Sequence, residues 1–380
     1  MKRPPIRVLD VAGSPEAMGV THGRAFAEEI RHYTAERVAL VASGLWSGGP
    51  ISDGEVLEVA EATLPAHERH SPQLYAEMIG IATGAGITPA EAVVVGGFTD
   101  FVDTVRAVKG GPHPATVMED DCTAVVVPDE RADGAGFYAQ TWDMHDTATK
   151  HVLLLRTRPD DGPAALVFTT TGCLGQLGMN EEGLCVGINN LTADDGQIGV
   201  TWPSVVRDAL AKSNAKDGLV AIEQAPLAGG HNFMLFDRAG DGYNIEAMPT
   251  ARPVTELTSD ALTHTNHTLE AEAAAVEGER AEELNASSTR RLATARQLLD
   301  RTGVTADDLM ELTREPEAIC QVPVAPYFVE TSGAAVMRPK TLDFWATWGP
   351  PSHNEFQHIG FASTTPTGAD AGPRSAPSPN

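Results

Sequence analysis

The sequence predicts an α+β protein in which two packed β-sheets lie between layers of helices. The first third of the chain carries helical periodicity and helix-start signals, whereas a run of apolar strands separated by short turns begins near residue 122. Helical patterns then return in groups between and after these strands. This grouping of strands and helices is typical of a layered α+β architecture.

Residues 1–121 are predicted to form a mainly helical N-terminal segment. After a short predicted strand over Ile6–Val11, Ser14 is a predicted helix N-cap and Pro15 occupies the first helical position. Helical periodicity continues from there towards Ala42. Further helices are predicted over 54–69, over 72–86 and from Thr88 onward, and a loop rich in glycine and proline follows at 109–114 and ends in the acidic cluster Glu119-Asp120-Asp121.

Residues 122–362 are predicted to form the catalytic segment, and residues 363–380, which contain few large apolar side chains, are predicted to be a disordered tail. The predicted strands are CTAVVVP, GFYAQTWDM, HVLLLRTR, AALVFTTTG, a hairpin over LGMNEEGLCVGINNL, HNFMLFDRAG, GYNIEAMP, ALTHTNH, and a last hairpin of VETSGAAVMRP and TLDFWATWG. The predicted helices are 202–213, 216–225, 270–300 and 305–314.

Composition limits the classes of partner. The 52 acidic and 27 basic residues give a net charge of −25, which disfavours binding to nucleic acid or to an anionic membrane and weakly favours a neutral or cationic substrate. The four cysteines suit neither a disulfide scaffold nor a zinc site, and no signal-peptide or membrane-span pattern is present. We therefore expect a cytoplasmic enzyme without a metal or other cofactor.

Cys122 begins an apolar strand directly after the polar, acidic loop. If the Asp121–Cys122 bond were cut, Cys122 would carry a free α-amine with a reference pKa of about 7.7–8.0, which could serve as the base for its own thiol. The alternative is a buried structural cysteine, the usual role of a lone cysteine.

Four short motifs occur in the order found in one known family. Asp121-Cys122-Thr123 is followed by Gln140-Thr141-Trp142-Asp143, by Asn180-Glu181-Glu182-Gly183-Leu184 leading to Asn189-Asn190, and by His264-Thr265-Asn266-His267. This series resembles the penicillin acyltransferase (acyl-coenzyme A:6-aminopenicillanic acid acyltransferase) family of cysteine N-terminal-nucleophile hydrolases. The resemblance implies a four-layer αββα sandwich, with self-cleavage between Asp121 and Cys122 into fragments 1–121 and 122–380 that stay associated.

The resemblance also implies roles for individual residues. Cys122 would be the nucleophile, Asp143 would hold its new α-amine, and Asn266 would donate to the oxyanion of the tetrahedral intermediate. Arg291 would lie near the thiol, although the pattern does not decide between it and Arg290. Oxyanion or substrate contacts are expected from Asn189, Asn190, Gln140 and Trp142. Gln321 follows Ile319-Cys320 where the acyltransferase has an arginine, and this departure disfavours a penicillin-type substrate.

The function expected is hydrolysis of a small N-acyl amide through an acyl-thioester on Cys122. One alternative within this class is transfer of the acyl group, from acyl-coenzyme A or an amide donor, to an amine. A second alternative is a non-catalytic binding protein with the same fold. A third is a metal hydrolase using His264, His267 and Glu270 with Asp143 and His145, but positions three apart in a strand point to opposite faces.

Overall fold

The computed structural model describes residues 5–44, 47–110, 121–325 and 328–362. The predicted tail at 363–380 lies outside these residues, as do Glu119 and Asp120. The helices are α1 (Pro15–Ala25), α2 (Ala27–Ala42), α3 (Asp53–His70), α4 (Pro72–Ala85), α5 (Pro89–Gly96), α6 (Phe98–Lys109), α7 (Trp202–Leu210), α8 (Ala215–Gln224), α9 (Ala271–Ala274), α10 (Glu282–Leu299) and α11 (Ala306–Arg314).

The strands follow the predicted order with three small differences. They are β1 (Val8–Gly13), β2 (Asp121–Val127), β3 (Phe137–His145), β4 (Val152–Pro159), β5 (Ala165–Thr170), β6 (Leu177–Asn180), β7 (Leu184–Leu191), β8 (Gly230–Asp237), β9 (Gly242–Ala247), β10 (Val254–Glu256), β11 (Leu262–His264), β12 (Val329–Arg338), β13 (Asp343–Trp348) and β14 (Gln357–His358). The short strands β10 and β14 were not predicted, and β1 begins two residues later than expected.

The helix predicted to run from Pro15 to Ala42 is interrupted, so the single-helix prediction is wrong. Phe26, with φ −128° and ψ 28°, separates α1 from α2. The local sequence holds no proline or glycine at this point. Instead, the guanidinium of Arg7 lies 4.9 Å from the centre of the Phe26 ring, so a contact with the residue that precedes β1 accompanies the break.

The helix predicted over 270–300 is also interrupted, because residues 275–281 make contacts outside the helix. Glu277 accepts hydrogen bonds from the backbone nitrogen and the hydroxyl of Thr268, and the Gly278 nitrogen donates to Thr192. A continuous helix could not make these contacts. The interruption leaves α9 as one short turn and places Arg280 just before α10.

The strands form two sheets among the described residues. One has the order β1-β4-β5-β6-β7-β8-β9-β10, and the other has the order β11-β2-β3-β12-β13-β14. Strand β1 pairs with β4 in parallel, which brings the start of the N-terminal segment into the first sheet. All other pairings between named strands are antiparallel.

Side-chain alternation along the strands separates four layers. Cys122, Ala124 and Val126 of β2 pack between the two sheets, whereas Val125 and Val127 pack on the other face. That other face is covered by α10 and α11, and α7 and α8 cover the far face of the first sheet. The protein therefore has the α+β, four-layer αββα sandwich predicted for an N-terminal-nucleophile hydrolase, with a mainly helical N-terminal segment.

Buried polar contacts join the N-terminal segment to the rest of the protein. Glu77 of α4 makes a two-point ion pair with Arg207 of α7, both bonds at 2.9 Å. Asp100 of α6 accepts from the Trp202 nitrogen at 2.7 Å and lies 2.8 Å from the ring of His231. Because these groups are nearly inaccessible to water, separating residues 1–121 from the others would leave buried charges unpaired.

One property of the helices concerns membranes. Among the described residues, none of the helices is both long and apolar enough to cross a bilayer alone, although the bent pair α4 and α5 passes that test in combined length and composition.

Candidate active site

Cys122 is the second residue of β2, and its neighbours follow from the strand register. It lies opposite Trp142 of β3, and Ala124 lies opposite Gln140. Residues directly opposite each other in an antiparallel pair point to the same face, so Cys122, Trp142 and Gln140 share the face between the sheets. The Cys122 side chain is only 1% exposed in this uncleaved chain.

Asn266 holds the backbone of Cys122. It lies two residues after β11, whose His264 pairs with Ala124 of β2. The Cys122 N–H donates to Asn266 Oδ1 at 2.7 Å, and Arg291 Nη2 donates to the same oxygen at 3.1 Å. Asn266 Nδ2 in turn donates to the carbonyl oxygen of Asn190 at 3.1 Å. Two donors at Oδ1 and one acceptor at Nδ2 fix the orientation of this amide.

This geometry bears on the role expected for Asn266. The expected role is donation from Nδ2 to an oxyanion, but in the uncleaved chain Nδ2 is engaged with a backbone carbonyl. Its Oδ1 is the acceptor for the nitrogen that would become the α-amine of Cys122. Oxyanion donation by Asn266 stays a prediction, and in this structure the residue positions the Cys122 nitrogen.

Arg291, rather than Arg290, faces the site. Arg291 lies on α10 and is fully buried, whereas Arg290 on the same helix is exposed. The guanidinium of Arg291 donates to the carbonyl oxygen of Cys122, to Thr123 Oγ1 at 3.3 Å and to Asp121 Oδ1 at 2.9 Å. This side chain therefore contacts residues on both sides of the Asp121–Cys122 bond.

Asp121 is itself buried, at 3% exposure, and its carboxylate is surrounded by donors. Besides Arg291, Arg280 lies 3.8 Å from Oδ1, and the Ser287 hydroxyl donates to Oδ2 at 3.3 Å. Sequence reasoning missed Arg280 and Ser287. The helix predicted over 270–300 concealed the loop that positions Arg280, and no local pattern marks this arginine as part of a site.

Asp143 lies directly opposite Asp121, so the two carboxyl groups share one face of the sheet. The pKa of Asp143 is raised from 3.8 to about 7, mainly because the group is completely buried and to a smaller extent because of the charge of Asp121. The nearby Arg291 guanidinium and the Thr331 and Thr141 hydroxyls act in the opposite direction. Neither oxygen of Asp143 makes a hydrogen bond of normal geometry among the described residues.

The register prediction for Asp143 is confirmed, because the residue lies at the start of the Cys122 strand. Its pairing with the α-amine of Cys122 stays a prediction. In the uncleaved chain the Cys122 nitrogen donates to Asn266.

Asn189 and Asn190 have different surroundings. Asn189 follows Cys185 and Gly187 on the face of β7 that points between the sheets, and β7 packs against β2. Asn189 Oδ1 accepts from Asn232 Nδ2 at 3.3 Å, but its fully buried Nδ2 has no hydrogen-bond partner among the described residues. Asn190 enters the site through its backbone carbonyl, which accepts from Asn266. A buried donor without an acceptor is a candidate contact for an oxyanion or a substrate carbonyl.

Gln140 is held in place rather than free to meet a ligand. Its Nε2 donates to the carbonyl oxygen of Ile188, and its Oε1 accepts from the Tyr138 hydroxyl at 2.6 Å. Gly187 makes room for this pair, since a Cβ at that position would lie 2.0 Å from the Tyr138 hydroxyl oxygen. Trp142 packs its ring edge-on against Phe168, 6.5 Å between centroids. Gln140 and Trp142 thus shape the wall near Cys122.

The residues of the metal alternative do not form a metal cluster. His264 pairs through Nε2 with Glu246 at 2.9 Å and through Nδ1 with the Thr265 carbonyl, and His267 contacts Ser288. Within the residues that the structure describes, no group of three or more histidine, cysteine, aspartate or glutamate side chains is arranged to hold a metal ion.

The chain matches the family model described as acyl-coenzyme A:6-aminopenicillanic acid acyl-transferase over residues 130–353. This range includes Asp143, Asn266 and Arg291 and begins after Cys122. A curated relative, the acyl-coenzyme A:6-aminopenicillanic-acid-acyltransferase 40 kDa form of Emericella nidulans, is 26% identical over 262 residues, which are 68% of this chain and 68% of the relative.

Solved structures with low identity also match. The Caenorhabditis elegans N-acylethanolamine-hydrolyzing acid amidase ortholog is 16% identical, with 58% of this chain and 93% of that chain covered and a TM-score of 0.42. A mutant of conjugated bile acid hydrolase from Clostridium perfringens is 11% identical, with coverage of 63% and 92% and a TM-score of 0.45. Penicillin V acylase from Agrobacterium tumefaciens is 12% identical, with coverage of 60% and 82% and a TM-score of 0.34.

Proposed function

Because the chain belongs to the acyl-coenzyme A:6-aminopenicillanic acid acyl-transferase family, we propose that it is a self-processing cysteine amidohydrolase that cleaves a small N-acyl amide. The observation that carries this proposal is the hydrogen bonding of the Cys122 backbone. The nitrogen and the carbonyl oxygen of Cys122 are held separately, by Asn266 and by Arg291. A structural cysteine in a strand needs no such side-chain support for its backbone.

The first step of the proposal is self-cleavage. The Cys122 thiol attacks the carbonyl carbon of Asp121, and the bond from that carbon to the Cys122 nitrogen breaks. The nitrogen gains a proton and leaves as an amine, so that a thioester joins residue 121 to the Cys122 sulfur. Water then hydrolyses the thioester and releases the α-carboxylate of Asp121 and the free thiol. Asn266 Oδ1 already accepts from the nitrogen that becomes the amine.

The second step is reaction with substrate. The freed α-amine takes the thiol proton, and the sulfur attacks the carbonyl carbon of an N-acyl amide. The oxyanion formed is stabilised by donors at fixed positions, for which Asn189 Nδ2 and Asn266 Nδ2 are the candidates. As the intermediate collapses, the α-ammonium gives that proton to the leaving nitrogen, the amine product departs and an acyl-thioester remains. Water attacks this thioester and returns the thiol.

Intact mass spectrometry tests both steps. We expect two masses, for residues 1–121 and 122–380, from protein that elutes as a single species. Incubation with a reactive N-acyl amide and rapid acid quenching should add the acyl mass to the 122–380 fragment. A single uncleaved chain whose Cys122 resists alkylation would support the non-catalytic binding protein instead.

Acyl transfer is the second candidate, favoured by the name of the Emericella nidulans relative. Both reactions share the acyl-thioester and differ in whether water or an amine accepts the acyl group. Adding increasing concentrations of small amines to the assay separates them. Transfer is supported if the N-acylated amine becomes the main product at millimolar amine, and hydrolysis is supported if free acid remains the main product.

A further inference from the structure

The donors around Asp121 form a built carboxylate site. Arg291 and Ser287 donate hydrogen bonds to its two oxygens, Arg280 lies 3.8 Å from Oδ1 as an ion-pair partner, and the side chains of both arginines are at most 1% exposed. We call these three residues the carboxylate site. Charge-assisted hydrogen bonds of this kind are shorter and stronger than those between neutral groups.

The carboxylate site does not depend on Asp121 for its shape. Arg291 and Ser287 stand one turn apart on α10, and Arg291 also donates to the carbonyl oxygen of Cys122. Arg280 donates to the carbonyl oxygen of Asn266. These contacts belong to residues after the bond that is cut, so cleavage does not remove them, and the site opens to a ligand once the new chain end at Asp121 moves away from Arg291.

Resting on the function proposed above, we propose that the carboxylate site takes the terminal carboxylate of the acyl substrate, so that the enzyme prefers amides of short dicarboxylic acids such as N-succinyl amines. During self-cleavage the Cys122 sulfur attacks the carbonyl carbon of residue 121. Two carbons separate that carbon from the Asp121 side-chain carboxylate, and two carbons separate the amide carbonyl from the carboxylate of a succinyl group. The chain's own aspartate is thus a template for the acyl group.

The carboxyl groups near the two arginines indicate that a substrate carboxylate would be selected for its hydrogen bonds and not only for neutralising the arginine charges. Burial raises the pKa of both Asp143 and Glu277, and the charges of Arg291 and Arg280 act against that rise, so each arginine keeps a carboxyl neighbour after cleavage. When the Asp121 carboxylate moves out, Arg291 and Ser287 lose the acceptor of their hydrogen bonds. A succinyl carboxylate restores that acceptor, whereas a neutral acyl group does not.

The proposed reaction balances as two displacements. The Cys122 thiol and an N-succinyl amine give a succinyl-thioester and the free amine, and water then gives succinate and the thiol. The amine half of the substrate is not constrained by the carboxylate site, and the net charge of −25 still favours a cationic amine there.

The test compares two substrates that differ only at the acyl end, N-succinyl-p-nitroanilide and N-butyryl-p-nitroanilide. The processed enzyme should prefer the succinyl compound by about 10- to 100-fold in kcat/KM, the range expected for hydrogen bonds to a charged group. Arg280→Gln should reduce this ratio to near one, and Ser287→Ala should reduce it less. Arg290→Gln, the exposed neighbour on the same helix, should leave the ratio as in the unaltered enzyme. A ratio near one in the unaltered enzyme, or no change in Arg280→Gln, would overturn the proposal.

A second measurement does not require turnover. Succinate should slow the alkylation of Cys122 by iodoacetamide in the processed enzyme, butyrate should not, and Arg280→Gln should abolish the protection. Arg280-dependent protection without hydrolysis of either anilide would support the carboxylate site and refute the amidohydrolase function. Hydrolysis of both anilides at similar rates, without protection, would refute the carboxylate site and leave the amidohydrolase function standing.

Discussion

The two faces of β2 at Cys122 have opposite chemical character. On the face towards α10, Asp121 and Thr123 meet Arg291, and Asp143 lies beside them. On the face between the sheets, the Cys122 side chain lies among apolar core side chains, and the polar groups near it include the Gln140 and Asn189 amides and the Tyr138 hydroxyl. One strand therefore separates a charged region from a neutral one by side-chain alternation alone.

This difference explains how self-cleavage and the reaction with substrate can use the same cysteine. The charged face contacts only the backbone of Cys122 and the residue before it, so it positions the bond to be cut. The neutral face surrounds the thiol and offers a buried amide donor, so it suits the reacting carbonyl and its oxyanion, whereas the proposed carboxylate site on the charged face takes the far end of the acyl group. Predictions that separate the two faces follow, from the largest expected effect to the smallest.

Cys122→Ala should abolish both steps, because both require the same sulfur. Intact mass should show one chain of 380 residues, and amide hydrolysis should fall to background. Cys320→Ala is the matched control. That cysteine is also buried, but its sulfur contacts Ser352, and its loss should leave cleavage unchanged. Cleavage of the Cys122→Ala chain at the same bond would contradict thiol autocatalysis.

Asn266 links the two faces, and its two side-chain atoms can be tested separately. In the processed fraction, Asn266→Ala should lower kcat by about 10²–10³-fold with KM nearly unchanged, if Nδ2 stabilises the oxyanion. Asn266→Asp keeps an oxygen acceptor for the Cys122 nitrogen and removes the donor, so it should be as slow as Asn266→Ala. A normal kcat for Asn266→Asp would assign the residue to holding the amine alone.

The local parts of this arrangement were predictable from sequence. Alternating apolar residues and the turn at Asp133-Gly134 predicted that β2 and β3 pair and that Asp143 returns to the start of the Cys122 strand, and the register confirms both. Helix starts at Pro15 and Pro89 were predicted from their capping residues, and both are confirmed.

The remaining features depend on contacts between distant parts of the chain. Arg280 is far from Asp121 in sequence and enters the site through an interruption in a helical pattern that Thr268 and Thr192 stabilise from outside. The orientation of Asn266 is set by Asn190, Cys122 and Arg291, which lie on three other elements. Periodicity and capping rules describe neighbours in sequence and carry no information on such contacts.

On the neutral face, Asn189 and Asn190 make a matched pair. Asn189→Ala removes the buried amide nitrogen that has no acceptor among the described residues, and we expect kcat to fall by about 10²-fold. Asn190→Ala keeps the backbone carbonyl that accepts from Asn266, and we expect a change of less than about threefold, typical of losing a side chain that makes no contact with the reacting atoms. Steady-state kinetics on both processed variants measure the difference. Equal effects would contradict the assignment of Asn189 to the inner face.

On the charged face, Asp143 has the smallest expected effect on rate and the clearest pH dependence. In the processed enzyme, the Asp121–Cys122 bond is cut and a new ammonium group is present, so a charged Asp143 would hold that group and raise its pKa. Asp143→Asn keeps the shape and removes the charge. We expect most of the activity to be lost, about tenfold, and the acidic limb of the rate profile to move to lower pH.

Before cleavage, Asp143 should stabilise the folded chain in its protonated form rather than in its charged form. Burial raises the pKa of Asp143 to about 7, above its ordinary 3.8, so the folded chain favours the protonated form. Its contribution to stability is fully present below about pH 4 and is lost as the pH rises through about 7. The free energy of unfolding of uncleavable Cys122→Ala should therefore fall between about pH 4 and 7 more steeply than that of Cys122→Ala/Asp143→Asn, as urea unfolding at each pH would measure. Adding Asp161→Asn, on an exposed acid in the turn between β4 and β5, should leave the slope unchanged. Equal pH dependence of unfolding in Cys122→Ala and Cys122→Ala/Asp143→Asn would show that the Asp143 carboxyl is not perturbed by burial beside Asp121 and Arg291. That result would remove the electrostatic argument for its pairing with the α-amine.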